Sequence, residues 1–77
     1  MNESELKLQD LAHIGPYLKK LRKKKKITQV ELAEYAGLSR AGIVKVESGE
    51  SDIKLSTLIS IANLLGVDLV LKERVGK

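Results

Sequence analysis

Cysteine is absent from the 77 residues, as are tryptophan and phenylalanine; proline and methionine occur once each and tyrosine twice. Without thiols the chain has no disulfide framework and no thiolate metal site. His13 is the single histidine, and one imidazole without cysteine makes neither a metal centre nor a catalytic dyad. It reads as a surface or capping residue, and neither metal nor cofactor is expected. No apolar run approaches the roughly 20 residues needed to cross a bilayer. The opening MNESELKLQD is acidic and polar, unlike a secretory signal. These absences fit the reducing cytoplasm and give no reason to expect a membrane partner. There is also no nucleophile–base pair and no Gly-rich phosphate loop, so an enzyme is not expected.

What is present is a charge pattern and a pair of short helices. The chain carries 14 basic and 10 acidic residues, a net charge of +4. Lys19, Lys20, Arg22, Lys23, Lys24, Lys25 and Lys26 place seven cations within eight positions. Two readings stand for this run. It is the solvated end of a helix, where cations favour the negative pole of the helix dipole, or some of it, Lys24 and Lys26 in particular, contacts DNA phosphates.

The run leads into TQVELAEYAGLSRAGIVKVESG, residues 28–49. Thr28 and Glu31 have the spacing of a capping box, in which two orphan backbone donors are satisfied reciprocally. A helix then runs through Val30, Leu32, Ala33 and Ala36 and stops at Gly37. Leu38 is the apolar residue of the turn, Ser39 caps a second helix, and Gly49 closes it. Ile43 and Val46 are the inward residues of that second helix. Arg40, Ala41, Val44 and Lys45 are left on its outside. Two helices joined this way present the second one to the major groove of DNA. Arginine and lysine can bond the acceptors of guanine, and Ala41 or Val44 can touch a thymine methyl. The other reading is that Arg40 and Lys45 contact only phosphates. Thr28, Ser39, Ser48 and Ser51 are candidate phosphate donors near helix ends.

Elsewhere the pattern is simpler. Residues 1–13 are expected to be an arm or short helix, and Asp10 could cap a turn running through Leu11 and Ile14. A first long helix is expected over about Gly15–Lys25, or from an earlier start with a kink, with Pro16 suited to its first turn and Ile14, Leu18 and Leu21 on one face. Ser56 is expected to cap a fourth helix over about Thr57–Leu65, with Leu58, Ile61, Ala62 and Leu65 inward and Gly66 as its stop. In residues 68–77, and from Val67 itself, the period changes to two. Val67, Leu69 and Leu71 share a face and Val70 adds to the apolar run, which predicts a short strand. A lone strand has an open edge, and pairing with the same strand of a second subunit resolves that. The alternatives are a disordered tail or an extra helical turn. A chain this short buries a modest core, which also suits a dimer.

Residues 14–67 resemble the helix-turn-helix domain of the Xre/Cro family of phage and bacterial repressors. The matching residues are Thr28-Gln29, Glu31-Leu32-Ala33, Ala36-Gly37-Leu38-Ser39, Ile43 and Glu47-Ser48-Gly49. The resemblance implies an all-α, lambda-repressor-like fold of four to five helices, here with the short C-terminal strand added. It implies that Gln29 bridges a phosphate and the recognition helix, and that Arg22 and Glu47 form an ion pair tying the first helix to the third. It implies a homodimeric repressor on a palindromic stretch of double-stranded DNA. The core followed by VDLVLKER also looks like the HipB-type antitoxins, which dimerise through C-terminal strands and bind a HipA-like kinase toxin; the sequence here stops at Lys77, without the longer tail some of them carry. A stand-alone Xre-type repressor with no toxin partner is the alternative.

Overall fold

The structure, a computed structural model, describes residues 11–76. Among these residues four helices account for the regular structure: α1 (Leu11–Lys24), α2 (Gln29–Ala36), α3 (Arg40–Ser48) and α4 (Leu55–Leu65). α1 packs on α3, and α2 packs on both α3 and α4. The apolar side chains that the helical period places on common faces meet at the centre. Leu32, Ile43, Ile61 and Leu65 are fully buried, with Leu18, Ala33, Val46, Leu58 and Ala62 around them. Ile14, Leu21, Ile27, Ala36, Leu38, Ile53, Leu64 and Val67 close the edges of this core. Burying a side chain of this kind contributes about 1.5–3 kcal/mol, so most of the fold's stability rests on these few residues.

Several boundaries differ from the sequence reading. α1 reaches back to Leu11, so Pro16 lies within it and not in its first turn. The amide that proline lacks would have bonded the carbonyl four residues earlier, and tertiary packing along the same face carries the helix through. Asp10, the suggested cap, lies outside the described residues. α4 starts at Leu55, so Ser56 is not its cap. Lys54 holds that position with extended backbone and no side-chain cap bond. Ile53, packed on the core, anchors the chain just before the turn into the helix. In α2 the buried residues are Leu32 and Ala33, whereas Val30 is about half exposed.

The strand expected over Val67–Lys72 does not form: residues 67–74 carry no regular secondary structure, and among the described residues there is no strand at all. A strand exists only through hydrogen bonds to a neighbour, and the described residues supply none. Val67 turns back onto the core, while Leu69, Val70 and Leu71 are exposed.

Gly15 ties α1 to α3. A β-carbon on it would lie 2.3 Å from the Val46 carbonyl oxygen and 2.8 Å from that of Glu47. Only the absence of a side chain lets α1 approach the last turn of α3 this closely.

Candidate nucleic-acid interface

The site begins with the two caps. Thr28 Oγ1 accepts from the Glu31 amide at 3.0 Å, and the Thr28 amide donates to Glu31 Oε1 at 2.8 Å. Bonds from the Thr28 amide and, less strongly, the Thr28 side chain hold the Glu31 carboxyl below its ordinary value of 4.5. Ser39 Oγ accepts from the Gly42 amide at 3.0 Å and starts α3. Between them Gly37 adopts a left-handed conformation, φ 71°, and the Leu38 amide bonds back to the Ala33 carbonyl. Leu38 then seats against the core. This fixes where α3 begins relative to α2.

α3 has two faces. Ile43, Val46 and Glu47 are buried behind it, at 0, 8 and 4% exposure. Arg40, Ala41, Val44 and Lys45 are all exposed on the other side. A nine-residue helix held by three inward side chains, with its outer face uncovered, has the shape of an element that enters a groove.

Behind α3 lies a buried polar cluster. Arg22 Nε donates to Glu47 Oε2 at 2.6 Å and Nη2 to Oε1 at 3.2 Å. Arg22 Nη1 donates to the Ile27 carbonyl at 2.7 Å. Gln29 Nε2 donates to Glu47 Oε1 at 3.2 Å. One carboxylate on α3 therefore holds a side chain from α1 and the first residue of α2. Among the described residues no buried side-chain nitrogen or oxygen lacks a partner. The bidentate form fixes the relative orientation of the helices as well as their contact. Gln29 Nε2 has a second hydrogen left to donate, so the same amide can reach an acceptor outside.

The remaining candidates separate. Thr28, Gln29, Arg22, Lys26 and Arg40 line one open hollow of about 450 Å³ at the start of α2, together with Lys23. Lys24, although exposed, does not line it. Ser51 lines a second hollow of about 310 Å³, with Gly37, Leu38 and Gly42, that shares no residue with the first. Ser48 sits at the carboxyl end of α3. Its hydroxyl lies 2.6 Å from Glu50 Oε2 and 3.0 Å from the Lys45 carbonyl. Its one hydrogen serves those acceptors, beside a negative charge that repels phosphate, and the structure does not group it with the others. Two residues were not singled out by the sequence reading. Lys23 was hidden among identical neighbours. Gly15 carried a usable signal, because an isolated glycine inside a helical period points to a close backbone approach.

Among the described residues no group of histidine, cysteine, aspartate or glutamate could hold a metal ion, and no helix is long and apolar enough to cross a membrane.

Comparison with known proteins meets this geometry. Residues 18–72 match the helix-turn-helix family. The immunity repressor protein of Bacillus phage phi105 is 41% identical over 56 residues, covering 73% of this chain and 39% of the repressor. The restriction-modification controller protein C.AhdI from Aeromonas hydrophila superimposes with a TM-score of 0.70 at 31% identity, over 75% of this chain and 88% of the controller. A chain of the HipA–HipB–O2–O3 complex gives a TM-score of 0.74 at 25% identity, over 90% of this chain and 97% of that one. The chain thus spans about two-fifths of the length of the phage repressor it matches.

Proposed function

The chain belongs to the Xre-type helix-turn-helix family of DNA-binding domains, and from that premise we propose that it is a sequence-specific transcriptional repressor acting as a homodimer on palindromic operators. The observation that carries this is the uncovered outer face of α3, backed by Ile43, Val46 and Glu47. Ala41, Val44 and Lys45 offer two apolar contacts and one donor to base edges, with Arg40 at the amino end of the same face. Gln29 and Ser39 stand ready for phosphates, since each keeps a hydrogen to donate outward, and Thr28 lies beside them. The phage repressor and the controller protein, both similar to this chain, support the regulatory reading.

Two recognition helices are needed for a palindrome, about one helical turn apart. Leu69, Val70 and Leu71, at 37, 77 and 102% exposure, are the apolar surface a second copy would cover. Pairing between two such segments supplies the neighbour that a strand requires. Val67 contributes from its own core side.

A kinase partner is the second reading. The likeness to the HipA–HipB–O2–O3 complex extends over 90% of the chain, further than the controller's 75%. The higher identity, however, lies with the phage repressor, which favours a regulator without a toxin. Co-purification with a HipA-like kinase encoded beside this gene would decide for the antitoxin, and its failure for the stand-alone repressor.

The proposal is tested by selecting duplexes from a random pool and measuring mass and affinity together. The expected result is enrichment of inverted repeats bound by two chains, with affinity falling steeply as salt rises. Salt-indifferent binding, or a single chain bound to an asymmetric site, would refute it.

A further inference from the structure

The outer stripe of α3 does not stop at Lys45. Ser48 follows Val44 by four residues and Lys45 by three, so it stands on the same face one turn further on, and it is exposed like them. Its hydroxyl has two acceptors within reach, the Lys45 carbonyl at 3.0 Å and Glu50 Oε2 at 2.6 Å. The shorter distance is that of a charge-assisted bond from a hydroxyl to a carboxylate. The Glu50 carboxylate is thereby held against the carboxyl end of the outer face.

The helix ending does not call for a carboxylate there. α3 closes through its backbone: Gly49 is left-handed, with φ 78°, and the Gly49 and Glu50 amides donate to the Val46 and Lys45 carbonyls at 3.1 and 3.0 Å. The carboxyl end of a helix is also its negative pole, where an anion is disfavoured. Ser48 orients the charge without cancelling it, and among the described residues no ion pair neutralises it. Glu47 is the contrast: it is buried, and Arg22 takes up its charge. At the amino end of the helix the sign is opposite, with Arg40 exposed in the first position of α3.

We infer that Glu50 is an electrostatic brake on DNA binding, with Ser48 as the residue that positions it. When α3 enters a major groove, its carboxyl end comes near the phosphates that border the groove. The Glu50 carboxylate then meets like charge, and the Ser48 hydroxyl is already taken. Phosphates carry no sequence information, so the penalty falls on every duplex alike. Glu50 therefore limits how tightly and how long the protein holds any duplex, and leaves sequence choice to Ala41, Val44 and Lys45. The inference rests on the DNA-binding reading and adds a repulsive element to it.

The test is fluorescence anisotropy of the parent, E50Q, S48A and E34Q on a random-sequence duplex pool and on a selected duplex, over a range of salt. E50Q keeps the shape and the acceptor and removes the charge. Its plot of log K against log salt should be steeper than the parent's by up to about 0.9, the share of one phosphate. Where the two lines meet near roughly 1 M salt, that is about an eightfold gain in affinity at roughly 0.1 M. The gain should be the same on the pool and on the selected duplex, and should appear as slower dissociation. S48A lets the carboxylate swing into solvent, so it should gain by a smaller factor. E34Q makes the same change in net charge at an exposed position of α2 and should keep the parent's slope. E50Q should melt no lower than the parent, because it removes an anion from the negative pole of α3. E50Q binding no tighter than the parent would overturn the brake. So would a gain confined to the selected duplex, which would make Glu50 a reader of bases, or an equal gain in E34Q, which would make the effect one of net charge. S48A binding no tighter than the parent would remove Ser48 as the positioning residue. A parent that binds no duplex would refute the DNA-binding reading itself.

Discussion

Replacing Glu47 with alanine removes the group on which α1, α2 and α3 converge. In the parent, Arg22 is 7% exposed and Glu47 4%. The guanidinium makes two bonds to the carboxylate and one to the Ile27 carbonyl. Without Glu47 a full positive charge stays buried with one neutral acceptor. Breaking one partner of such a pair costs about 3–5 kcal/mol. At roughly 0.05–0.15 kcal/mol per residue, a chain of this size has about 4–12 kcal/mol in total. Glu47→Ala is therefore expected to remove a quarter or more of the stability and, at the low end, to unfold the protein at room temperature.

Urea denaturation measures this directly, with an unchanged m-value showing that the same surface is exposed. The companion variant is Arg22→Met with Glu47→Leu. A well-packed apolar replacement of a buried ion pair is often neutral or stabilising, so the double variant should recover most of the loss. It should not recover DNA affinity, because Gln29 loses the carboxylate that holds its amide. A Glu47→Ala protein within about 1 kcal/mol of the parent would refute the reasoning, since the buried charge would then have found another partner.

Gly15→Ala should destabilise the fold. A β-carbon 2.3 Å from the Val46 carbonyl forces α1 and α3 apart, at about 1–3 kcal/mol, less the roughly 0.5–1 kcal/mol that alanine returns in a helix; a melting temperature at or above the parent's would count against the close approach. Acid should loosen α2 through Glu31. Its carboxyl sits below 4.5 in the fold, so its contribution is complete above that value and disappears as pH falls through the lower folded value; Glu31→Gln should flatten this part of the pH–stability profile, and an unaltered profile would exclude the capping box as its source. Gly42→Ala should stabilise the fold. The added β-carbon meets Ser39 Oγ at 3.4 Å and Leu38 Cβ at 3.6 Å, ordinary contacts, so the fold should gain about 0.5–1 kcal/mol; a melting temperature below the parent's would mean that the turn before α3 has no room for the added methyl.

What could be read in advance was local in origin. Thr28 and Glu31, Ser39, and the glycines at 37, 49 and 66 act within a few residues of themselves, and the caps at Thr28 and Ser39 stand where those residues are. The inward sets of α3 and α4 follow from the 3.6-residue period alone. Features decided by distant neighbours were harder. Pro16 reads as a helix start because a proline interior is locally unfavourable, yet packing on α3 outweighs that. Ser56 is a good cap by type, but Ile53 anchoring on the core sets the turn two residues earlier. Val67–Leu71 has the period of a strand and, among the described residues, no neighbour to make it one. Arg22 and Glu47, 25 residues apart, could be paired only through resemblance to a family, because nothing in their own surroundings points from one to the other. The lysine run was opaque for the opposite reason. Four identical residues at 23–26 differ in nothing but backbone direction, and direction is what sends Lys23 and Lys26 to one hollow and Lys25 to the end of α4. The one hint in the sequence was a missing glycine: three helices stop at one, whereas α1 runs into a lysine at the left-handed position, and no local preference puts it there.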